Sequence, residues 1–215
     1  MIFFHLFRHA ESTGNVNNHI IGGRSSHLPL TERGEQQAHL LGKRLQQEGF
    51  TLDKVYCSDA IRAKETARIA TSYIGWEPQS FIEDPAIAEL SQGKWEGLHR
   101  LAMFNEETKK QFLADPLEFR APEGESQAQA RIRLKNWLDK ALEEAEEGQV
   151  IGAFSHGFAI RSIVGHLLRA DGMFARQVVT YNTSITTLYF HKDNWYFDRI
   201  NDHAHLHGTE FIGHY

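Results

Sequence analysis

The chain has 215 residues, 41% of them hydrophobic and 24% charged, with a formal net charge of −5. That composition fits a globular protein with a sizeable core and, at this length, one α/β domain. The negative balance excludes broad affinity for nucleic acid or anionic membranes, which needs a basic footprint. No apolar run approaches the ~20 residues of a membrane span, and residues 1–7 lack the basic region and cleavage site of a secretory leader. The lone Cys57 excludes an intramolecular disulfide and suits a reducing compartment, so a cytoplasmic location is expected.

The first element is an apolar strand from Phe3 that stops on Arg8 and His9. Residues 11–30 form a long polar connection with Gly14, Gly22, Gly23 and Pro29. Thr31 reads as an N-cap, and Ala38, Leu41 and Leu45 follow at helical spacing up to a stop at Gly49. Residues 53–57 read as a second strand. Ser58 or Asp59 is expected to cap the next helix, striped by Ala63, Ala67, Ala70 and Ile74 and ended by Gly75. Strand, helix, strand, helix favours a parallel sheet with right-handed crossovers.

Residues 76–125 are broken by Pro78, Pro85, Pro116 and Pro122, with one helix expected over about 98–114. This segment is expected to be a lid-like insertion. Gln127–Glu147 reads as a long helix, Val150–Phe154 as a buried strand, and the stretch from Gly157 through Leu168 as an apolar helix. Residues 178–190 and 195–200 alternate as a hairpin would around Lys192-Asp193-Asn194. The expectation is a single domain over 1–215 with a three-layer α/β/α architecture. It has a mostly parallel central sheet, an inserted helical segment and a C-terminal hairpin.

Three of these strands end in chemistry. The first delivers Arg8 and His9, the second Ser58 with Arg62 one turn on, and the late one Ser155 and His156. If the strands are parallel, these side chains meet at the carboxyl edge of the sheet, where open α/β folds bind ligands. Two arginines and two histidines there make a cationic pocket suited to a phosphoryl group, which guanidinium forks bind through paired hydrogen bonds. A neutral imidazole offers a lone pair for attack on phosphorus. Arg8, Arg62 and a protonated His156 are expected to stabilise the transferring group without a metal or other cofactor. Glu89 and Glu96, flanking a Gly-Lys-Trp loop, are the candidate proton donors. Glu83 and Glu125 are rivals in neighbouring loops.

Arg8-His9-Ala10-Glu11-Ser12-Thr13-Gly14-Asn15 resembles the Arg-His-Gly signature of the histidine phosphatase (phosphoglycerate mutase-like) superfamily. Similar segments follow in the family's order: Leu28-Pro-Leu-Thr31 with Gly34, Ser58-Asp-Ala-Ile-Arg62, Glu89 before Gly93-Lys-Trp-Glu-Gly97, and Ser155-His156-Gly157. The resemblance implies that His9 is a transiently phosphorylated nucleophile. It also implies that Arg8, Arg62, Asn15 and His156 hold the phosphoryl group, that Glu89 is the acid/base, and that Gly22 lies on the substrate side. The partner it implies is a small phosphorylated substrate.

Two departures stand out: Ala10 replaces a glycine, and Ser26-His27-Leu28-Pro29 lacks the usual aspartate before Pro-Leu-Thr. The segment Glu89-Leu-Ser-Gln-Gly93 lacks the Arg-His pair of the mutases, so hydrolysis is expected. A phosphoglycerate-type mutase is the alternative, and a non-catalytic phospholigand-binding protein a further one. Residues 16–27 and 90–125 are expected to select the alcohol. Among the thirteen histidines, the alternate His203, His205 and His207 lack the further ligands of a metal site and are expected to pack or be solvated. Trp95 and Phe104 are expected in the core, Cys57 as a small buried hydrophobe. Asn182 is left between capping the sheet edge and reaching the pocket.

Overall fold

In the computed structural model, which describes residues 1–212, β1 (Ile2–Arg8) is the spine of the molecule. Its side chains alternate between two cores, as the period of two requires. Phe4 and Leu6 enter one apolar cluster, and Phe7 enters another. The short α1 (Thr13–Val16) follows, then α2 (Glu32–Gln47), capped by the Thr31 hydroxyl accepting from the Gly34 amide as expected. Next come β2 (Lys54–Cys57) and α3 (Ile61–Ser72). Leu41 and Leu45 of α2 and Ala63, Ala67 and Ala70 of α3 pack on the Phe7 side of the sheet.

The segment 76–125 holds a two-residue strand, β3 (Ile82–Glu83), and the helices α4 (Arg100–Met103) and α5 (Glu106–Ala114). The single helix expected over about 98–114 is therefore two. The chain leaves the helix at Phe104, and the Asn105 side chain then caps α5 by accepting from the Thr108 amide. A residue that competes for backbone donors restarts a helix rather than continuing one. Helix α6 (Gln127–Glu143), with a complete Ser126–Gln129 capping box, ends four residues before the expected Glu147. After β4 (Val150–Ser155) comes α7 (Gly157–Leu167), and these two helices cover the Phe4 side through Leu134, Trp137, Ile160 and Ile163. The three-layer expectation holds.

A single turn of helix, α8 (Phe174–Gln177), precedes β5 (Ile185–His191) and β6 (Asn194–Asp202). The sheet order is β3-β2-β4-β1-β5-β6. The first four run parallel, and β5 and β6 are antiparallel. Lys192 and Asp193, both at positive φ, form the turn of the predicted hairpin, a backbone that matches strand twist. β5 starts seven residues later than the expected 178. Thr183 sits at φ 56 and donates its amide to the Arg8 carbonyl, which takes the chain out of ladder geometry.

The register decides where chemistry collects. Arg8 pairs with Ser155 and Cys57 with Phe154, so His9, Ser58 and His156 emerge side by side at one sheet edge. The polar connection returns tightly to this edge. At Gly34 a Cβ would lie 1.9 Å from the Glu11 carbonyl oxygen, whereas at Gly22 nothing lies within 4 Å. Gly34→Ala is expected to lower stability by about 1–3 kcal/mol through overpacking, and Gly22→Ala to change it by less than about 0.5 kcal/mol. Urea denaturation of the two variants measures the contrast.

Candidate active site

Both ring nitrogens of His9 are accounted for. Its Nδ1 lies 2.7 Å from the Ala10 carbonyl oxygen, an acceptor only, so Nδ1 carries the proton. Nε2 is left with its lone pair, 3.2 Å from Arg62 Nε. Ala10, the departure from the family pattern, sits without strain. It is absent from the positive-φ residues, its methyl packs with Leu30, Ala38 and Ile69, and its amide donates to Thr66 Oγ1 at 2.9 Å.

Arg62 organises the floor of the site. Its Nη1 donates to the Ser25 carbonyl at 2.7 Å, and its Nη2 lies 3.2 Å from His156 Nδ1. Arginine has no acceptor, so His156 Nδ1 carries the lone pair and Nε2 carries the proton, donated to Ser58 Oγ at 2.8 Å. Ser58 is thereby spent on the site rather than on a cap. Helix α3 begins at Ile61, its N-cap position is Ala60 and no side chain caps it, contrary to the expected Ser58 or Asp59. The His9 and His156 rings stand 5.1 Å apart, edge to face.

Burial and charge act together on these groups. His9 and His156 are 4% and 1% exposed. Desolvation, then the positive charges of Arg62 and its neighbours, hold both imidazoles well below the usual histidine range. Against the expectation of a protonated His156 stand burial first, and then the Arg62 charge aimed at the ring, both of which favour the neutral imidazole. Arg8 is pushed down to about 10, first by burial and then by Arg161. Its guanidinium donates to the Thr180 carbonyl, while its Nε has no partner. Gly157 makes this convergence possible. A Cβ there would lie 3.2 Å from both Arg8 Nε and Arg161 Nη1.

Among the carboxylates, Glu89 faces this cluster. Its Oε2 accepts from the Phe158 amide at 3.2 Å and its Oε1 from the Leu90 amide at 2.9 Å. The rivals have other partners: Glu96 accepts from the Gln92 and Arg24 amides, Glu125 pairs with Arg133 and Arg24, and Glu83 with Lys64. Asn15 Oδ1 accepts from the Ser12 amide at 2.9 Å and lies 3.4 Å from Asn182 Nδ2, which also donates to the His9 carbonyl at 2.9 Å. Asn182, left open by the sequence, thus ties Asn15 to the strand end at His9.

A cavity of about 270 Å³ adjoins Glu89 and is lined by Ile21, Gly22 and Gly23 and by much of 89–125. Those are the stretches the sequence marked for substrate selection. Phe104 lines it, with Trp95 edge-on behind at 5.3 Å, so Phe104 is not the core residue expected. Sequence reasoning missed Phe158, Arg161 and Arg176 on its wall. Only Arg161 carried a signal, as a charge inside an apolar helix. His205 is held instead by Arg44 and Thr183, and His203 stacks on Tyr181 at 3.7 Å. Among the described residues no His, Cys, Asp or Glu cluster is arranged to hold a metal, and no helix is long and apolar enough to cross a membrane. Cys57 is buried, its thiol pushed up to about 12.

The chain belongs to the histidine phosphatase superfamily (branch 1), whose family model matches residues 4–203. It is 30% identical over 213 residues to a probable phosphoglycerate mutase GpmB of Yersinia enterocolitica, covering 96% of this chain and 95% of that one. Among solved structures it resembles a phosphoserine phosphatase mutant of Entamoeba histolytica in complex with phosphoserine, at TM-score 0.79 and 26% identity. It also resembles Bacillus stearothermophilus YhfR, at TM-score 0.83 and 25% identity. Each match covers 96% of this chain and 100% of the other.

The neutral histidines carry a stability consequence. Their folded-state pKa values lie below the unfolded value of about 6.5, so their contribution is full above that pH and is lost as pH falls. His5 and His205, each lowered to about 4, act in the same direction. Acidification from pH 7 toward 5 is expected to cost up to about 1.4 kcal/mol per pH unit for each such histidine. Guanidinium melts across this range measure the slope, and it should be shallower in His156→Asn.

Proposed function

We propose that the protein is a phosphomonoester hydrolase that works through a phosphohistidine on His9, with no metal required. The observation that carries this reading is the fixed tautomer of His9, whose Nε2 lone pair faces the Arg62 and His156 side chains. A substrate phosphoryl group entering here takes the guanidinium donors of Arg8 and Arg62, including the Arg62 Nε–H now aimed at Nε2. The freed lone pair forms the Nε2–P bond while the P–O bond to the alcohol breaks. Arg8 and Arg62 neutralise the equatorial oxygens, so positioning and electrostatics supply most of the barrier lowering. The phosphoryl dianion also favours the imidazolium form of His156, reversing the balance of the empty site.

Glu89 is the acid/base in this proposal. Its carboxyl proton passes to the departing alkoxide oxygen. The resulting carboxylate then takes a proton from a water that attacks phosphorus, and the P–N bond breaks to give inorganic phosphate and neutral His9. Asn15 and Asn182 position the His9 backbone, and Gly22 borders the alcohol side. The segment 76–125, which supplies Glu89 and most of the cavity wall, acts as the lid in this scheme.

A mutase reading is favoured by the curated relatives at 30% identity, which are named as probable phosphoglycerate mutases. The two part at the second half-reaction, where water or a second hydroxyl accepts the phosphoryl group. Hydrolysis predicts one inorganic phosphate released per ester consumed; mutase action predicts isomerised ester with little release. Phosphorus NMR of the product mixture distinguishes them.

His9→Ala is expected to lower turnover of p-nitrophenyl phosphate in EDTA by at least about a thousandfold. Acid quenching of the wild type should trap acid-labile, base-stable phosphate that is absent from the variant. Retention of full activity in His9→Ala would overturn the mechanism. Glu89→Gln should slow an alkyl phosphate by about 10²–10⁴-fold but p-nitrophenyl phosphate much less, because a nitrophenolate leaves without a proton. Equal losses on both would remove Glu89 from the acid role.

A further inference from the structure

We infer that the substrate carries a second anionic group, apart from the phosphoryl group at His9, which Arg161 and Arg176 receive in the cavity beside Glu89. The inference rests on the hydrolase reading above and narrows its substrate class.

The charges lining the cavity do not balance. Arg100, Arg120, Arg161 and Arg176 contribute four guanidinium groups against two carboxylates, Glu89 and Glu125. Glu125 is already matched by Arg133, at 2.8 Å through two parallel hydrogen bonds, and by Arg24. Glu89 faces Arg8, Arg62 and Arg161 at once. Among the described residues, no carboxylate oxygen lies within 4 Å of any nitrogen of Arg161 or Arg176.

Arg161 is set up to donate and has too little to donate to. It projects from a largely apolar helix; among the described residues its buried Nε has no partner, and its Nη1 reaches Thr180 Oγ1 at 3.4 Å. A buried donor left unpaired costs roughly 1–3 kcal/mol, and a chain keeps such a group where a ligand completes it. Arg8 repels it on one side and Arg176 on the other; burial and this repulsion lower the pKa of both neighbours. Arg176 is held in place by aromatic faces rather than by acids, with its guanidinium 4.3 Å from the Phe112 centroid and 5.7 Å from that of Phe104. Stacking orients the planar fork and leaves its edge free for a carboxylate or phosphate.

The phosphoryl oxygens are matched at His9 by Arg8, Arg62 and His156, so the Arg161–Arg176 pair is surplus to that group. Arg161 and Arg176 share their cavity wall with Glu89, so the second anionic group lies on the alcohol side of the scissile bond, as in a phosphorylated hydroxy acid or a bisphosphate.

The experiment compares esters that differ in one group: 3-phosphoglycerate (carboxylate), 1,3-propanediol bisphosphate (second phosphate) and glycerol 3-phosphate (neutral hydroxymethyl). Wild-type kcat/KM is expected to favour at least one anionic ester over glycerol 3-phosphate by about tenfold or more. Which of the two anionic esters leads identifies the group as carboxylate or phosphate. That preference should collapse about tenfold in Arg176→Gln, and also in Arg161→Gln, while the melting temperature of Arg176→Gln stays near wild type.

Hydrolysis of glycerol 3-phosphate as fast as both anionic esters, or a preference untouched by either variant, overturns the inference and leaves the hydrolase reading standing. If no ester is hydrolysed, p-nitrophenyl phosphate included, the hydrolase reading falls. Calorimetric binding of 3-phosphoglycerate and glycerol 3-phosphate to wild type and Arg176→Gln then decides. Equal affinity of the two probes for wild type would remove the second anion site.

Discussion

The molecule depends on holding two neutral imidazoles among guanidinium groups in a place that water barely reaches. Either histidine, once protonated, would face the Arg62 charge across a hydrogen-bond distance with little solvent to screen it. The site is therefore neutral at its histidines and positive at its arginines. The surrounding structure serves that condition. The Ala10 carbonyl accepts a hydrogen bond from His9 Nδ1–H, and Ser58 Oγ accepts one from His156 Nε2–H. The Ser25 carbonyl anchors Arg62 from the far side.

That arrangement needs three strand ends within a few ångströms of each other, which the parallel register of β1, β2 and β4 provides. It also needs a rigid frame. The aromatic stack of Phe7 on Phe154, 4.7 Å between centroids, lies one residue below Arg8 and one below Ser155. Thr183, at positive φ, holds the Arg8 and His9 carbonyls through its amide. A non-glycine residue in that conformation costs on the order of 1 kcal/mol. Here it closes the strand end at Arg8 and His9.

The elements most legible in the sequence were those whose apolar spacing had one solution. Helix α2 from Thr31, the β4 strand and the Lys192-Asp193 turn are of this kind. The two-residue β3 carried too few residues for any period to show, and it exists only because β2 offers it an edge. The split between α4 and α5 was hidden because Asn105 inside a polar stretch reads equally as surface or cap. The site followed the same division. Arg8, His9, Arg62 and His156 could be named from strand ends and motif order. Asn182, Arg161 and Arg176 come from segments without a motif, and only packing turns Asn182 toward Asn15 and the two arginines toward the cavity.

What the sequence by itself determined is the chemistry available: which strands end in a cation or an imidazole, and which family's motif order they follow. Those facts are local, written in short apolar runs and the residues just after them. Only the tertiary structure decided how the charges are distributed. It made His156 neutral where the residue type allowed either state, and it separated Glu89 from Glu96 and Glu125 by giving the latter two other partners. It also left Arg161 reaching Thr180 and Arg176 stacked on Phe112 rather than in an ion pair. Protonation and pairing depend on burial and on neighbours distant in the chain, and no spacing along a sequence encodes the distance between side chains on different elements.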